Sequence, residues 1–232
     1  MKTAAVSGGA GGIGSAICRM LASSGYKVFV GYNHSKKSAE ALAAEIGGAA
    51  LQLDVCRAES VRTFTEAVGR CDVLVNNAGI AAQRLFTDIT EDEWDAMFDV
   101  HVKGTYRLCR AFLPGMIREK AGSIVNIASM WGQVGASCEV HYSAAKAAVI
   151  GMTRALAKEV GPSDIRVNCL SPGVIETEML AGFSSEDKKA LAEETPLGRI
   201  GTPRDVAGAV LYAAEAPFLT GQVIAINGGF VV

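Results

Sequence analysis

The sequence predicts an α/β fold: one doubly wound domain, residues 1–232, built on a mostly seven-stranded parallel sheet. Three observations predict it. Short apolar runs alternate with longer stretches of helical period along the whole chain. The runs are continuous Val, Ile, Leu and Ala rather than alternating with polar residues, the pattern of strands covered by helices on both faces. A glycine-rich turn separates the first run from the first helical stretch, where folds of this class hold nucleotides.

In chain order, residues 2–7, 27–32, 50–54, 72–76, 123–129, 166–171 and 223–226 read as strands. Helical patterns fill most of the gaps, the longest being 91–113 and 140–160. The stretch 176–202 has no clear partner strand and reads as a substrate lid inserted over the site. Within it Ser184-Ser185-Glu186-Asp187 is a helix start, with Pro196 and Pro203 as breaks.

Composition excludes several classes. A net charge of -2 and a pI near 6.0 give no broad basic face for nucleic acid or an anionic membrane. No apolar run approaches the ~20 residues of a membrane span, and the start shows no signal-peptide pattern, so a cytoplasmic protein is expected. Cys18, Cys56, Cys71, Cys109, Cys138 and Cys169 are scattered, with no Cys-x-x-Cys. They read as reduced packing residues, and no metal site is expected. Cys138 is held open, because a protonated His141 beside it would favour a thiolate.

Ser7-Gly8-Gly9-Ala10-Gly11-Gly12-Ile13-Gly14 follows the first strand and opens a helix. Its glycines, chiefly Gly8, Gly12 and Gly14, let the backbone approach a pyrophosphate, and the helix start at Ile13 offers amide donors. NAD sites usually carry an acid at the end of the second strand, whereas this chain has Gly31-Tyr32-Asn33-His34-Ser35-Lys36-Lys37. With Asn33, Ser35 and Lys36 able to meet a ribose phosphate, NADP is favoured over NAD. A helix cap at Ser35 followed by solvated lysines is the plainer alternative for that stretch. Asp54, with Val55 beside it, closes the third strand and suits an adenine amino group. Asn77, Ala78 and Gly79 follow the fourth strand at the sheet's carboxyl edge, where ligands bind in such folds.

Tyr142 and Lys146 share one helix face, about one turn apart. A nearby cation lowers a tyrosine pKa from ~10, which makes the phenol a usable acid or base. Ser129 stands thirteen residues before the tyrosine. It lacks the Gly-x-Ser-x-Gly turn of a hydrolase nucleophile.

Five motifs occur in order: Ser7-Gly8-x-x-x-Gly12-x-Gly14, Asn76-Asn77-Ala78-Gly79, Ser129 at its spacing from Tyr142, Tyr142-x-x-x-Lys146, and Asn168 with Pro172-Gly173 leading to Thr177. In these the chain resembles the short-chain dehydrogenases/reductases from end to end. The resemblance implies a Rossmann-like fold and an NAD(P)-dependent oxidoreductase. It implies that Ser129 polarises a substrate carbonyl, Tyr142 gives it a proton, and Lys146 holds the nicotinamide ribose while lowering the Tyr142 pKa. Pro172, Gly173 and Thr177 would flank the nicotinamide. Relatives pair long helices across a homotetramer. His101 stands where the family commonly has asparagine, either as a structural substitute or as a titrating member of the proton relay, the former being favoured.

Within the family the chain is similar to the 3-oxoacyl-acyl-carrier-protein reductases of fatty acid biosynthesis, through residues 176–179, 196–203 and the ending from Thr220 to Gly229. That likeness implies a carrier-bound or small-molecule carbonyl substrate, with Arg84, Arg118, Lys120 and Arg199 as candidates for meeting an acidic carrier. The loop Ser129 to Tyr142 is also similar to reductases proposed to act on 5-aminopentanone-modified elongation factor P. Glu139 would pair with a substrate ammonium there, and Trp131 would pack on its stem. A dinucleotide-binding redox sensor without turnover is the non-enzyme alternative, against which the intact Ser129, Tyr142 and Lys146 argue.

Overall fold

The structure is a computed structural model that describes residues 1–231, with Met179 of the 176–179 likeness described by its backbone alone. Val232, the expected end of the domain, lies outside the described residues. Seven parallel strands form one sheet: β1 (Thr3–Val6), β2 (Lys27–Tyr32), β3 (Ala49–Gln52), β4 (Val73–Asn76), β5 (Gly122–Ile127), β6 (Ile165–Pro172) and β7 (Val223–Ile226). Their order is β3-β2-β1-β4-β5-β6-β7. The order reverses between β1 and β4, which opens a crevice at the carboxyl edge.

Consecutive strand residues serve opposite faces. Ala4, Val6, Val73, Val75 and Val125 join one apolar cluster with α1 (Gly12–Ser23), α2 (Lys36–Ile46) and α9 (Pro203–Glu215). Ala5, Leu74 and Ile124 join a second with α3 (Ala58–Val68), α5 (Gly104–Glu119) and α7 (Val140–Val160). This two-sided burial is why the strands read as unbroken apolar runs. The buried thiols of Cys18, Cys71 and Cys109 are pushed up to about 12 by burial, and that of Cys169 to about 11, as befits packing residues.

Two elements differ from the sequence expectation. The helical stretch 91–113 consists of α4 (Glu91–Phe98), a π-helical turn at Asp99–Lys103, and α5, which runs on to Glu119. Pro203 opens α9 at its first turn instead of breaking a helix, because the missing N–H there would have no partner anyway. Within 176–202, α8 (Ser185–Glu194) starts on a capping box between Ser184 and Asp187, and Ile175 bridges Gly201 at the segment's base. Two short helices complete this edge: α6 (Trp131–Val134), and a 3-10 turn at Glu178–Leu180.

Candidate active site

The crevice is stapled at its floor. Ser7 Oγ accepts from the amides of Asn77 at 3.0 Å and Ala78 at 3.1 Å, while Asn77 Nδ2 donates to the Ser7 and Gly8 carbonyls at 3.1 and 3.0 Å. Four hydrogen bonds thus join the turn after β1 to the turn after β4. Gly8 has φ +62°, and a Cβ on Gly14 would lie 2.1 Å from the Gly8 carbonyl oxygen, so both positions need glycine. Helix α1 follows Gly11 at its N-cap, with no side-chain cap and no acid in its first turn, and Ile13 packs its side chain on the core. Its first amides therefore offer donors and a positive dipole end to an anion. A Cβ on Gly12 would meet Thr177 Cγ2 at 3.0 Å, so this turn and the 176–202 segment face each other closely. These residues fit a dinucleotide pyrophosphate.

Around this floor, Asp54 accepts from the Cys56 amide at 2.9 Å, and the buried Val55 gives its carbonyl to Arg107 at 3.1 Å. Asn33 and Ser35 are exposed after β2, and the Ser35 hydroxyl makes no capping bond although it occupies the N-cap of α2. Lys36 stands 3.8 Å from Glu40. At the end of β6 the Pro172 carbonyl accepts from Met130 at 2.9 Å, and a Cβ on Gly173 would lie 2.7 Å from Asn227 Cα.

Beyond the end of β5 the other polar residues converge. Ser129 is buried, and its Oγ accepts the Trp131 amide at 3.2 Å. Lys146 is buried, donates to the Ile127 carbonyl at 2.8 Å, and places Nζ 5.5 Å from the centre of the Tyr142 ring. The His101 ring meets Tyr142 edge-on with centroids 5.4 Å apart. A Cβ on Gly132 would lie 2.8 Å from the Lys146 carbonyl carbon, which docks α6 directly on α7 at the lysine.

The electrostatics correct one expectation. Burial pushes the Tyr142 phenol up to about 12, with hydrogen bonding to Ser129 opposing and the Glu139 carboxylate adding to the rise. The neighbouring lysine does not lower it. Its ammonium lies over the ring and bonds to a backbone carbonyl, and burial brings its own pKa down to about 8. Tyr142 is accordingly a protonated donor at neutral pH, suited to giving a proton rather than taking one.

His101 is buried, with Nε2 2.7 Å from the Ile80 carbonyl oxygen and Nδ1 without a partner among the described residues. Burial first, and then the Lys146 charge, hold its pKa well below the usual histidine value against the Ile80 bond. It is neutral in the working range, which favours the structural substitute over the titrating role. Its carbonyl accepts from Thr105 Oγ1 at 2.7 Å.

Other expectations change with position. His141 is fully buried and neither ring nitrogen has a partner among the described residues, so it does not act on Cys138, which is half-buried in the loop before α7. Arg118 and Lys120 close α5 just before β5 begins, at the sheet edge opposite the crevice. Arg84 pairs with Glu93 at 3.1 Å, and Arg199 grips Asp205 at 2.9 and 3.2 Å. Sequence reasoning missed a buried chain under the site, Asn76 to Asn126 to Thr153, each bond 2.8 Å. The adjacent ends of β4 and β5 were its only signal. No group of three or more His, Cys, Asp or Glu able to hold a metal occurs among the described residues, and no helix among them is long and apolar enough to cross a membrane.

A glycine-lined nucleotide crevice beside a protonated tyrosine, a serine and a buried lysine defines an NAD(P)-dependent oxidoreductase, and the chain belongs to the short-chain dehydrogenase/reductase family. The family model described as enoyl-(acyl carrier protein) reductase matches residues 8–231. Among relatives, the uncharacterized oxidoreductase YmfI of Bacillus subtilis is 38% identical over 238 residues, covering 99% of this chain and 98% of its own. The 3-oxoacyl-[acyl-carrier-protein] reductase FabG of Chlamydia muridarum is 38% identical over 239 residues, covering 98% and 96%. The crystal structure of the 3-oxoacyl-[acyl-carrier protein] reductase from Brucella melitensis superposes with a TM-score of 0.94 at 32% identity, covering 100% of this chain and 92% of that one.

Proposed function

We propose that the protein reduces a ketone to a secondary alcohol with NADPH, and that its substrate is a 3-oxoacyl group on an acyl-carrier protein. The carrying observation is the Tyr142 phenol, kept protonated by burial beside Ser129 at the carboxyl edge of the sheet. Ser7 to Gly14, Asp54, Asn77 to Gly79 and Pro172 to Thr177 would hold the dinucleotide, which supplies a hydride to the carbonyl carbon when bound. Ser129 and Tyr142 donate to the carbonyl oxygen, where negative charge grows in the transition state, so their bonds strengthen as the barrier is climbed. The Tyr142 proton moves to that oxygen. Lys146, the stronger acid at about 8, replaces the lost proton down a steep gradient, becomes neutral in doing so, and regains its charge when it takes a proton from water. The segment 176–202 acts as a lid, and NADPH is preferred because no carboxylate stands at 31–37 to repel its ribose phosphate.

The relatives named as 3-oxoacyl-[acyl-carrier-protein] reductases support the carrier-bound substrate. One observation favours an amino ketone instead, such as a 5-aminopentanone group on elongation factor P. Glu139 accepts from Gln83 at 3.2 Å and lies near enough to Tyr142 to raise its pKa, so a carboxylate borders the reacting carbonyl. Rates of NADPH oxidation with an acetoacetyl thioester and with a small amino ketone decide between them. A preference for the amino ketone overturns the acyl reading, and no turnover of either favours the redox sensor. Ser35→Asp should shift the preference toward NADH by about tenfold or more, and an unchanged preference would remove the 31–37 stretch from cofactor choice.

A further inference from the structure

Trp131 and Phe230 come from opposite ends of the catalytic half of the chain and meet at the site. Trp131 opens α6 two residues after Ser129, and its amide is bonded to the Ser129 hydroxyl. Gly132 then seats the helix on Lys146. The indole is therefore held in the same turn as the groups that face the carbonyl. Its partner is the ring of Phe230, edge-on with centroids 5.8 Å apart.

Phe230 is presented by a tail tied to both sides of the cleft. Asn227 abuts Gly173 at the end of β6, and the tail closes on itself, Gly229 donating to Asn227 Oδ1 at 3.0 Å and Phe230 to the Asn227 carbonyl at 3.1 Å. Leu197 of the lid donates to the Gly228 carbonyl at 3.2 Å. A Cβ on Gly228 would lie 2.6 Å from Thr195 Cγ2, and one on Gly229 would lie 3.0 Å from Pro196 Cγ. The tail thus meets the serine loop through the aromatic contact and the lid through Gly228 and Gly229, and both rings are only half-buried.

We propose that Trp131 and Phe230 form the end wall of the substrate cleft and latch the lid to the serine loop, so that the enzyme favours ketones with a short chain beyond the carbonyl. The proposal rests on the ketone-reductase reading above and adds its length limit. A longer chain must separate the rings, which costs the edge-to-face contact and the packing of the lid against the tail.

The test is NADPH-dependent reduction of N-acetylcysteamine thioesters from acetoacetyl to 3-oxododecanoyl, with wild type, Trp131→Ala, Phe230→Ala and the ring-keeping Trp131→Phe. Wild type should favour acetoacetyl, and each alanine variant should raise the long-to-short ratio of kcat/KM by about tenfold, the scale at which a pocket senses methylenes. Trp131→Phe should stay near wild type. A ratio within about twofold of wild type in both alanine variants, or a wild type indifferent to length, overturns the proposal. Tryptic cleavage at Lys188 and Lys189 of the lid gives a readout independent of turnover. Faster cleavage in both alanine variants supports the latch, and unchanged cleavage overturns it. If wild type reduces no thioester at all, the substrate reading fails while the cleavage still judges the aromatic contact.

Discussion

Replacing Lys146 with methionine should make the fold more stable and the enzyme nearly inert. The ammonium is buried, and the fall of its pKa from 10.5 to about 8 corresponds to about 3 kcal/mol at ~1.4 kcal/mol per pH unit. Methionine keeps most of the volume and carries no charge. Losing the bond to the Ile127 carbonyl gives back roughly 1 kcal/mol, leaving a net gain of about 2 kcal/mol near neutrality. For a chain of this size the melting temperature should rise by about 4–8 °C. The pH dependence carries the sign. The folded pKa lies below the unfolded one, so between about pH 8 and 10.5 the unfolded state binds more protons and wild-type stability climbs. Below that window both states are charged and the burial cost is present in full. Urea unfolding of both proteins from pH 7 to 10.5 is the assay. Parallel pH profiles, with the variant no more stable at pH 7, would refute the reasoning.

The remaining predictions follow the same chemistry. kcat/KM for ketone reduction should fall as the pH rises through about 8, because Lys146 loses its charge while Tyr142 stays protonated up to about 12; a basic limb beginning above about 10 would contradict this. His101→Asn should move the pH-rate profile by less than about half a unit, since the imidazole is already neutral, and a larger shift would restore its titrating role. Ser7→Ala leaves the Asn77 and Ala78 amides without their acceptor and should cost about 1–3 kcal/mol, with weaker dinucleotide binding measured by fluorescence titration. Unaltered binding and stability would mean that water replaces the hydroxyl.

The sheet was legible because two-sided burial writes itself as continuous apolar runs, and the nucleotide turn because Gly8 and Gly14 occupy positions that a Cβ cannot. Tyr142, Lys146 and Ser129 were legible as a spacing. Their ionisation was not, because burial outweighs the pair interaction and burial is a property of the packed whole. Arg118 and Lys120 looked like carrier contacts until the end of α5 placed them at the far edge of the sheet. The contact of Trp131 with Phe230 spans 99 positions of chain, and no periodicity reports such a meeting.

The π-helical turn at Asp99–Lys103 makes residue 101 tolerant in one respect and rigid in another. An α-helix advances about 100° per residue, so deleting one residue there would rotate all of α5 against the sheet. Thr105, Leu108, Cys109 and Phe112, all buried, would swing toward solvent together. A change of side chain at 101 disturbs only the contact with Tyr142 and the bond to Ile80, whereas a change of length would dismantle one wall of the core. Variation among descendants of this chain is thereby channelled into the identity of residue 101 and kept out of its spacing.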